Sequence, residues 1–304
     1  MSKYGENKKS VDSRIAKHSS RGTDEKAGGG KMAQAKRVPK ILPVVPPEDT
    51  GRDGHPEIHP HLPQIAGPGG GALLLMISPV RTGKSTIISN LLLGDDDMMM
   101  YNAQDRFHTT TIISNTIAND VTSRFLAKAF DTHDSYSDSI IDGIVELQKS
   151  YEKEEQPDIA VILDDCLGSI RREAKINHLA SRFRHFNIRL LIISSQNFRS
   201  CSPIIRQNAT NVIVGSPFPN QKELGKMAEE YGDVFGGADN WLKIYQKATP
   251  NRYDFLHMSF QDNPPKAYRN FEELIAEGPN IIGEVPELSD EEEDEDLKFQ
   301  DKKK

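Results

Sequence analysis

Apolar and polar positions form alternating blocks along the middle of the chain. Short, nearly continuous apolar runs predict strands that are buried on both faces, at 72–77, 109–114, 159–163, 188–193 and 211–214. Amphipathic segments predict helices at 86–93, 138–152, 173–183, 220–231 and 238–247, and a last strand is predicted at 252–260. Because strands and helices alternate, the pattern predicts an α/β fold with a mainly parallel sheet and helices on both faces.

Both ends of the 304-residue chain lack this periodicity. Residues 1–70 are rich first in Lys, Ser and Gly and then in Pro, and residues 281–304 contain seven consecutive acids, from Asp290 to Asp296. Such compositions are typical of disordered segments. One folded domain is therefore predicted at 71–280, between a disordered N-terminal segment and a disordered acidic tail.

The formal net charge of −7 conceals an asymmetry between the two ends. Residues 1–40 hold eleven Lys or Arg and four Asp or Glu, which gives +7, whereas residues 284–304 hold ten acids and four lysines, which gives −6. The basic end is suited to contact phosphate backbones without sequence preference, or it is simply a soluble tail. The overall charge therefore says little about partners.

The apolar runs are too short to span a membrane, and the polar N-terminus lacks the apolar core of a signal peptide. Cys166 and Cys201 are the two cysteines, and their spacing indicates neither a disulfide framework nor a metal motif. A reducing intracellular setting without a membrane span is the simplest expectation.

The loop after the first predicted strand carries the strongest chemical signal. Residues 78–86 read SPVRTGKST, between an apolar strand and a helix, which is the context of a phosphate-binding P-loop. Lys84 would contact the β- and γ-phosphates of ATP, and the Ser85 hydroxyl would bind Mg²⁺. The predicted nucleotide-binding residues are Ser78, Arg81, Thr82, Gly83, Lys84, Ser85 and Thr86. Ser78 departs from the consensus G-x-x-x-x-G-K-[ST], because it is small but lacks the φ freedom of glycine.

Two further strand ends are expected to complete this site. Asp164 and Asp165 end the buried run 160–165, where Asp164 would bind Mg²⁺ opposite Ser85 and Asp165 would orient the attacking water as a general base. Gln196 follows the strand at 188–193, where its amide would contact the γ-phosphate or the water, or would be an ordinary strand-end group. The section 109–152 is expected to place another strand between the two motif strands, as in RecA-like P-loop NTPases of the additional-strand class.

Arginine fingers form a third group of candidates. Either Arg184 or Arg206 could stabilise charge on the nucleotide of a neighbouring subunit. A structural salt bridge is the alternative for each of them.

Several segments together resemble one family. They are GKST (83–86), VILDD (161–165), RHFNIRLLIISSQ (184–196), PIIRQNATNVIV (203–214), YDFLHM (253–258) and YRNFEEL (268–274). Over residues 71–276 the chain resembles the genome-packaging ATPases of nucleocytoplasmic large DNA viruses, the poxvirus-type branch of the FtsK–HerA superfamily. The block 184–214 is the most specific part of this resemblance.

The resemblance implies an ATP-driven motor that moves double-stranded viral DNA into a preformed capsid. It implies a homo-oligomeric ring of six subunits with ATP and Mg²⁺ at the subunit interfaces, and capsid or portal-like proteins as partners. Lys84, Ser85, Asp164 and Gln196 match the family's functional positions, whereas Asp165 stands where a longer Glu is common. The implied location is an infected host cell, in a cytoplasmic viral factory or the nucleus, or association with the virion.

Two other functions fit part of the pattern. A nucleoside or nucleotide kinase would share the P-loop and would need an arginine-rich lid, for which the region near Arg171, Arg172 and Arg182 is the candidate. A non-catalytic P-loop scaffold of the virion is supported by Ser78 alone. For a translocase, Lys222, Lys226 and Lys243 are pore-loop candidates only because they follow the core strands.

Overall fold

A computed structural model of the chain describes residues 57–66, 70–117, 123–171 and 173–283. The basic segment 1–40, Arg172 and the acidic run Asp290 to Asp296 lie outside the described residues. The expectations for them therefore stay predictions.

The described residues form one mixed sheet and eight α-helices, besides short 3₁₀ turns. The strands are β1 (Ala72–Ile77), β2 (Thr109–Ser114), β3 (Asp131–His133), β4 (Ile159–Asp164), β5 (Ile188–Ser195), β6 (Asn211–Gly215), β7 (Phe255–Ser259), β8 (Lys266–Arg269), β9 (Glu273–Glu277) and β10 (Asn280–Ile281). The helices are α1 (Lys84–Leu93), α2 (Ala103–Arg106), α3 (Ser123–Ala129), α4 (Asp138–Lys149), α5 (Lys175–Arg182), α6 (Pro203–Asn208), α7 (Gln221–Tyr231) and α8 (Ala238–Ala248). None of these helices is both long enough and apolar enough to cross a membrane.

The ten strands lie in the order β10-β9-β8-β7-β6-β1-β5-β4-β2-β3. The six strands from β6 to β3 are parallel, and β7 to β10 extend the sheet in antiparallel fashion from β6. The central strands β1 and β4 are buried along their whole length, which explains why their sequences are continuous apolar runs rather than alternating ones. The predicted α/β fold with a mainly parallel sheet is confirmed.

Two hydrophobic cores cover the two faces of the sheet. Helices α4 to α8 pack on one face, where Trp241 and Phe235 are fully buried. Helices α1 to α3 pack on the other face, around residues such as Tyr101 and Leu92. Helices on both faces were predicted, and this arrangement confirms them.

Residues 57–66 also belong to the second core. Leu62 and Ile65 are buried there, and the Tyr101 hydroxyl donates a hydrogen bond to the Pro63 carbonyl oxygen at 2.8 Å. The predicted domain start at residue 71 therefore leaves out a packed segment. The high Pro and His content of this segment is typical of a linker, so its composition did not indicate that Leu62 and Ile65 are buried.

The strand between the two motif strands is β5, which pairs with β1 on one side and β4 on the other. The section 109–152 was expected to supply that strand, and this expectation was wrong: β2 and β3 lie beyond β4. The additional-strand order is nevertheless present, because a strand separates the P-loop strand from the acidic strand. The fold is a RecA-like α/β fold, and it aligns the carboxyl ends of β1, β5 and β4 at one edge.

Candidate active site

The carboxyl ends of β1, β4 and β5 open into a cavity of about 520 Å³. Ligands bind at this end of an open parallel sheet, because the loops and helix N-termini meet there. The lining residues are Pro79, Val80, Arg81, Gly83, Lys84, Ser85, Thr86, Thr116, Asp164, Asp165, Gln196, Arg252 and Tyr253. The cavity thus brings together the P-loop, the acid pair and the strand-end glutamine that the sequence predicted separately.

The P-loop reaches its shape through two residues in the left-handed region. Gly83 has φ 91°, which glycine adopts without steric cost, and Arg81 has φ 62°. Helix α1 begins directly after Gly83, at Lys84. The unpaired backbone N–H groups of its first turn therefore face the cavity, as an anion-binding helix N-terminus requires.

Lys84 points into the loop and is only 9 % exposed. Its Nζ donates to the Ser78 carbonyl oxygen at 2.8 Å and to the Pro79 carbonyl oxygen at 3.3 Å. Burial lowers the pKa of the Lys84 ammonium, and the negative charges of Asp165 and Asp164 oppose this shift. A buried cation that meets neutral carbonyls is well placed to gain from an anionic ligand.

Ser78 is accommodated by a glycine from another strand. Ser78 is absent from the residues with positive φ, so its position does not need glycine's freedom. Its Oγ is hydrogen-bonded to Thr82 Oγ1, and Thr82 in turn donates to the Pro79 carbonyl oxygen at 2.6 Å. A Cβ on Gly215 of β6 would overlap Ser78 Oγ and lie 2.8 Å from Ser78 Cβ. Gly215 therefore makes the room that the serine side chain occupies.

Asp164 ends β4 in a nearly closed environment, with 6 % of the residue exposed. Ser194 Oγ donates to its Oδ1 at 2.5 Å, and Ser114 Oγ donates to its Oδ2 at 3.4 Å. Burial raises the pKa of Asp164, whereas the Ser194 hydrogen bond and the Lys84 charge lower it. The carboxylate is thus held in a fixed orientation at a cost that a bound cation would offset.

Asp165 and Gln196 form a pair beside Asp164. The backbone N–H of Asp165 donates to Ser194 Oγ at 3.1 Å, and its left-handed φ of 56° turns the side chain toward the cavity. Gln196 Nε2 donates to Asp165 Oδ2. The predicted glutamine therefore orients the candidate base through a direct hydrogen bond.

The predicted P-loop residues divide into two groups. Arg81, Gly83, Lys84, Ser85 and Thr86 line the cavity. Ser78 and Thr82 are buried behind the loop and hold its shape. Their role follows from the hydrogen bonds within the loop rather than from contact with a ligand.

Sequence reasoning missed Arg252 and Tyr253, which line the cavity from the turn between α8 and β7. Tyr253 has φ 76°, is 55 % exposed, and would lie 3.8 Å from a Cβ placed on Gly83. The Arg252 guanidinium carbon lies 4.9 Å from the Tyr253 ring centre. An exposed aromatic side chain in a strained conformation next to a P-loop is suited to contact a nucleobase.

Neither finger candidate lies in this cavity. Arg184 Nε donates to the Gly71 carbonyl oxygen at 3.3 Å, at the amino end of β1 and hence at the opposite end of the sheet. Arg206 Nε lies 3.0 Å from Glu230 Oε1, and its guanidinium carbon lies 4.4 Å from the Phe198 ring centre. Arg206 is only 18 % exposed at its side chain, as expected for a structural ion pair. A role for either arginine therefore requires a second subunit.

The residues present fit Mg²⁺ and a triphosphate. Ser85 and Asp164 offer a hydroxyl and a carboxylate, the hard oxygen ligands that Mg²⁺ prefers, on the same cavity. The buried carboxylate and the buried ammonium are each disfavoured by desolvation, and a bound cation and a phosphate would relieve these two costs.

No family model matches the sequence, and no curated protein matches it. Among solved structures, the chain is similar to the DNA-packaging ATPase B204 from Sulfolobus Turreted Icosahedral Virus, at 16 % identity and TM-score 0.48, over 65 % of this chain and 96 % of that one. The genome packaging NTPase B204 from Sulfolobus turreted icosahedral virus 2, in complex with AMP, gives 17 % identity, TM-score 0.46 and the same coverage. The pCW3 conjugation coupling protein TcpA, in a monomer form with ATPγS, gives 13 % identity and TM-score 0.43, over 66 % of this chain and 60 % of that one. At TM-scores below 0.5, these likenesses say nothing about the activity of this chain.

Proposed function

We propose that this chain is a Mg²⁺-dependent ATPase that couples hydrolysis to the translocation of double-stranded DNA. One observation carries the ATPase part of the proposal: the P-loop lysine, the acid pair and the strand-end glutamine line a single cavity at the carboxyl end of a parallel sheet. These groups come from three different strand ends, and phosphoryl transfer to water requires all of their chemistries. The coupling to DNA rests on the family resemblance.

The residues have separate roles in hydrolysis. Bound Mg²⁺ supplies positive charge that neutralises the triphosphate and the leaving group. Ser85 and Asp164 would hold the metal ion, and Lys84, which donates to the loop carbonyls in this structure, would donate to the phosphate oxygens of a bound nucleotide. Asp165 accepts a proton from the attacking water, while Gln196 fixes the orientation of the Asp165 carboxylate.

The oligomer and the trans arginine are also part of the proposal. Arg184 lies at the amino end of the sheet, so it would reach a neighbour's nucleotide only in a head-to-tail ring. Arg206 would first have to exchange its ion pair with Glu230 for the phosphate. A ring of six subunits, capsid or portal-like partners, and packaging of viral DNA in an infected cell or virion are the specific setting that the family resemblance implies.

The non-catalytic alternative rested on Ser78, and Gly215 removes its basis because the serine side chain has space beside β6. The kinase alternative required an arginine-rich lid over the site. Arg171 lines a different cavity, together with Arg199 and Arg206, and Arg182 lies at the amino end of the sheet. These observations favour the translocase hypothesis over the kinase and the scaffold.

Phosphate release by the full chain tests this function. With ATP and Mg²⁺ we expect release that duplex DNA stimulates and that needs no small acceptor. Lys84→Ala should lower it by a factor of about 10² to 10³, the effect of losing one electrostatic donor. Lys128→Ala, an exposed substitution on α3, is the control and should retain the activity. Equal activity in the wild-type and Lys84→Ala proteins would contradict the proposal.

A further inference from the structure

A second cavity, of about 560 Å³, lies at the amino end of the parallel sheet. Its lining comes from residues that precede β1, β4, β5 and β6 or begin β5, so it is at the opposite edge from the candidate active site. Four of its ten lining residues are Lys or Arg, and none is Asp or Glu. We call this the basic cleft and define it by Lys153, Arg182, Arg184, His185 and Arg189.

Contacts with the backbone hold most of these cations in place. Arg184 Nε donates to the Gly71 carbonyl oxygen at 3.3 Å, and Lys153 Nζ donates to the His185 carbonyl oxygen at 2.7 Å. Neutral carbonyls orient a cation without cancelling its charge. Arg189 is different, because its Nε lies 2.9 Å from Asp158 Oδ1.

Arg182 is the freest of the cations. It is exposed in the last turn of α5, and its side chain makes no hydrogen bond or ion pair with another described residue. A basic residue there also stabilises the helix dipole, and that is its ordinary structural explanation. The dipole does not explain why Lys153 and three arginines of the stretch 182–189 surround one cavity whose described lining contains no acid.

The chemistry of the cleft fits a phosphate backbone. Planar guanidinium groups bind phosphate in bidentate fashion, and clustered cations gain affinity by releasing counterions from nucleic acid. Phe183 in the lining is buried and His185 is the exposed ring there, so the described lining lacks the successive exposed rings on which a run of unpaired bases stacks. These features favour a duplex over a single strand.

The chain's own acidic segment is a less suitable occupant. Strand β10 runs in the same direction as β1, because four antiparallel pairings separate it from β6. The described chain therefore leaves the sheet heading toward the carboxyl end, away from the cleft.

We propose that the basic cleft binds the sugar–phosphate backbone of duplex DNA, independently of base sequence. The identification of the polyanion as DNA rests on the proposed function, whereas the binding surface follows from the geometry of the cleft. Arg184 is then a DNA-binding residue, which leaves Arg206 as the trans-arginine candidate. DNA is held at the amino end of the sheet while ATP is hydrolysed at the carboxyl end. This surface differs from the pore-loop candidates Lys222, Lys226 and Lys243, none of which lines the cleft.

Binding of a fluorescent DNA duplex to the full-length chain, measured by anisotropy without nucleotide at several salt concentrations, tests the proposal. Arg182→Gln should weaken binding about eightfold at 0.1 M salt and reduce the slope of log affinity against log salt by about 1, the effect of one lost phosphate contact. Arg182→Glu should weaken it further. Arg124→Gln is the matched control, an exposed arginine on α3 at the other face of the sheet, and should leave both values unchanged.

Two outcomes would overturn the proposal. One is an affinity and salt slope that stay at the wild-type values in both Arg182 variants, with thermal melting showing that they are folded. The other is that Arg182→Gln no longer weakens DNA binding in a chain that lacks residues 284–304. That result would mean that the cleft of the full-length chain binds its own acidic segment rather than DNA. Since no ATP is present, a chain that fails to hydrolyse ATP can still pass this test, and the two proposals fail separately.

Discussion

The two ends of the parallel sheet carry similar numbers of cations in different settings. At the carboxyl end, Lys84 faces Asp164 and Asp165 across one cavity, and all three are at least partly buried. At the amino end, the cations of the basic cleft are mostly exposed, and no carboxylate lines the cavity. The difference separates two kinds of phosphate chemistry. Compensated buried charge suits the cleavage of a metal-bound phosphate, whereas surface charge of which only Arg189 is paired suits reversible binding of a polyanion.

The largest expected effect is a loss of ATP hydrolysis at the carboxyl end of the sheet without a loss of DNA binding at the amino end. Asp165→Asn keeps the size of the side chain and an oxygen that can accept from Gln196, but it removes the proposed base. ATP hydrolysis should fall by a factor of about 10² to 10⁴, the usual contribution of a general base. Steady-state phosphate release measures this, and duplex binding without nucleotide should keep the wild-type affinity. Hydrolysis at the wild-type rate would remove Asp165 from the mechanism.

The second prediction concerns the support beneath the P-loop. Gly215→Ala places a methyl group against the Ser78 side chain and should destabilise the fold by about 1–3 kcal/mol through overpacking. Ser78→Gly removes that side chain, so the double variant should recover most of the loss. Thermal unfolding of all four proteins gives the coupling energy, and additive effects would show that the two residues do not share this space.

A third prediction concerns the exposed aromatic side chain at the carboxyl end. Tyr253→Ala should weaken binding of an ATP analogue by about 1–3 kcal/mol if the ring stacks on the nucleobase. Calorimetric titration measures this, and Tyr253→Phe is the control because it retains the ring. Inorganic triphosphate has no base, so its affinity should be the same in all three proteins. A loss of triphosphate affinity in Tyr253→Ala would point instead to a distorted P-loop.

The smallest expected effect is a gain in stability. Burial raises the pKa of Asp164, so folding disfavours the ionised form of this carboxyl group. The ionisable Asp164 therefore destabilises the fold least at a pH below the pKa that this group has in the unfolded state. The destabilisation grows as the pH rises through the pKa that it has in the folded state. Asp164→Asn removes the charge and should raise the Tm at neutral pH by about 2–4 °C in the absence of Mg²⁺.

Melting curves over a range of pH check the sign of this effect. The advantage of Asp164→Asn should be smallest in acid and increase toward neutral pH. An advantage that is largest in acid would contradict a raised Asp164 pKa. Asp142→Asn, at an exposed carboxylate paired with Lys175, should show no comparable gain.

Much of the fold was readable from the sequence because its central strands are buried on both faces. The runs predicted at 72–77 and 109–114 coincide with β1 and β2, and the helix predicted at 220–231 matches α7 within one residue. Short elements escaped detection. Helices α2 and α6 and strands β3 and β10 have between two and six residues, which is too few for a helical or alternating period to emerge.

The site residues also divide into those that are evident from the sequence and those that only the structure reveals. Lys84, Ser85 and Asp164 stand out in the sequence because each is a polar residue next to an apolar run, at the point where a strand ends. Arg252 and Tyr253 fall inside the strand predicted at 252–260, but they lie in the turn before β7, and only the antiparallel pairing of β7 with β6 carries that turn to the P-loop. Gly215 and Ser78 are 137 positions apart, and their contact leaves no trace in either local sequence.

The sequence by itself determined which segments are buried strands and where each of them ends in a polar group, because burial and chain reversal leave local patterns. The tertiary structure alone decided that β5 lies between β1 and β4, that Ser194 donates to Asp164, and that Lys153 before β4 shares one cleft with the arginines at the start of β5. These features depend on strand order and register, which arise from contacts between residues far apart along the chain.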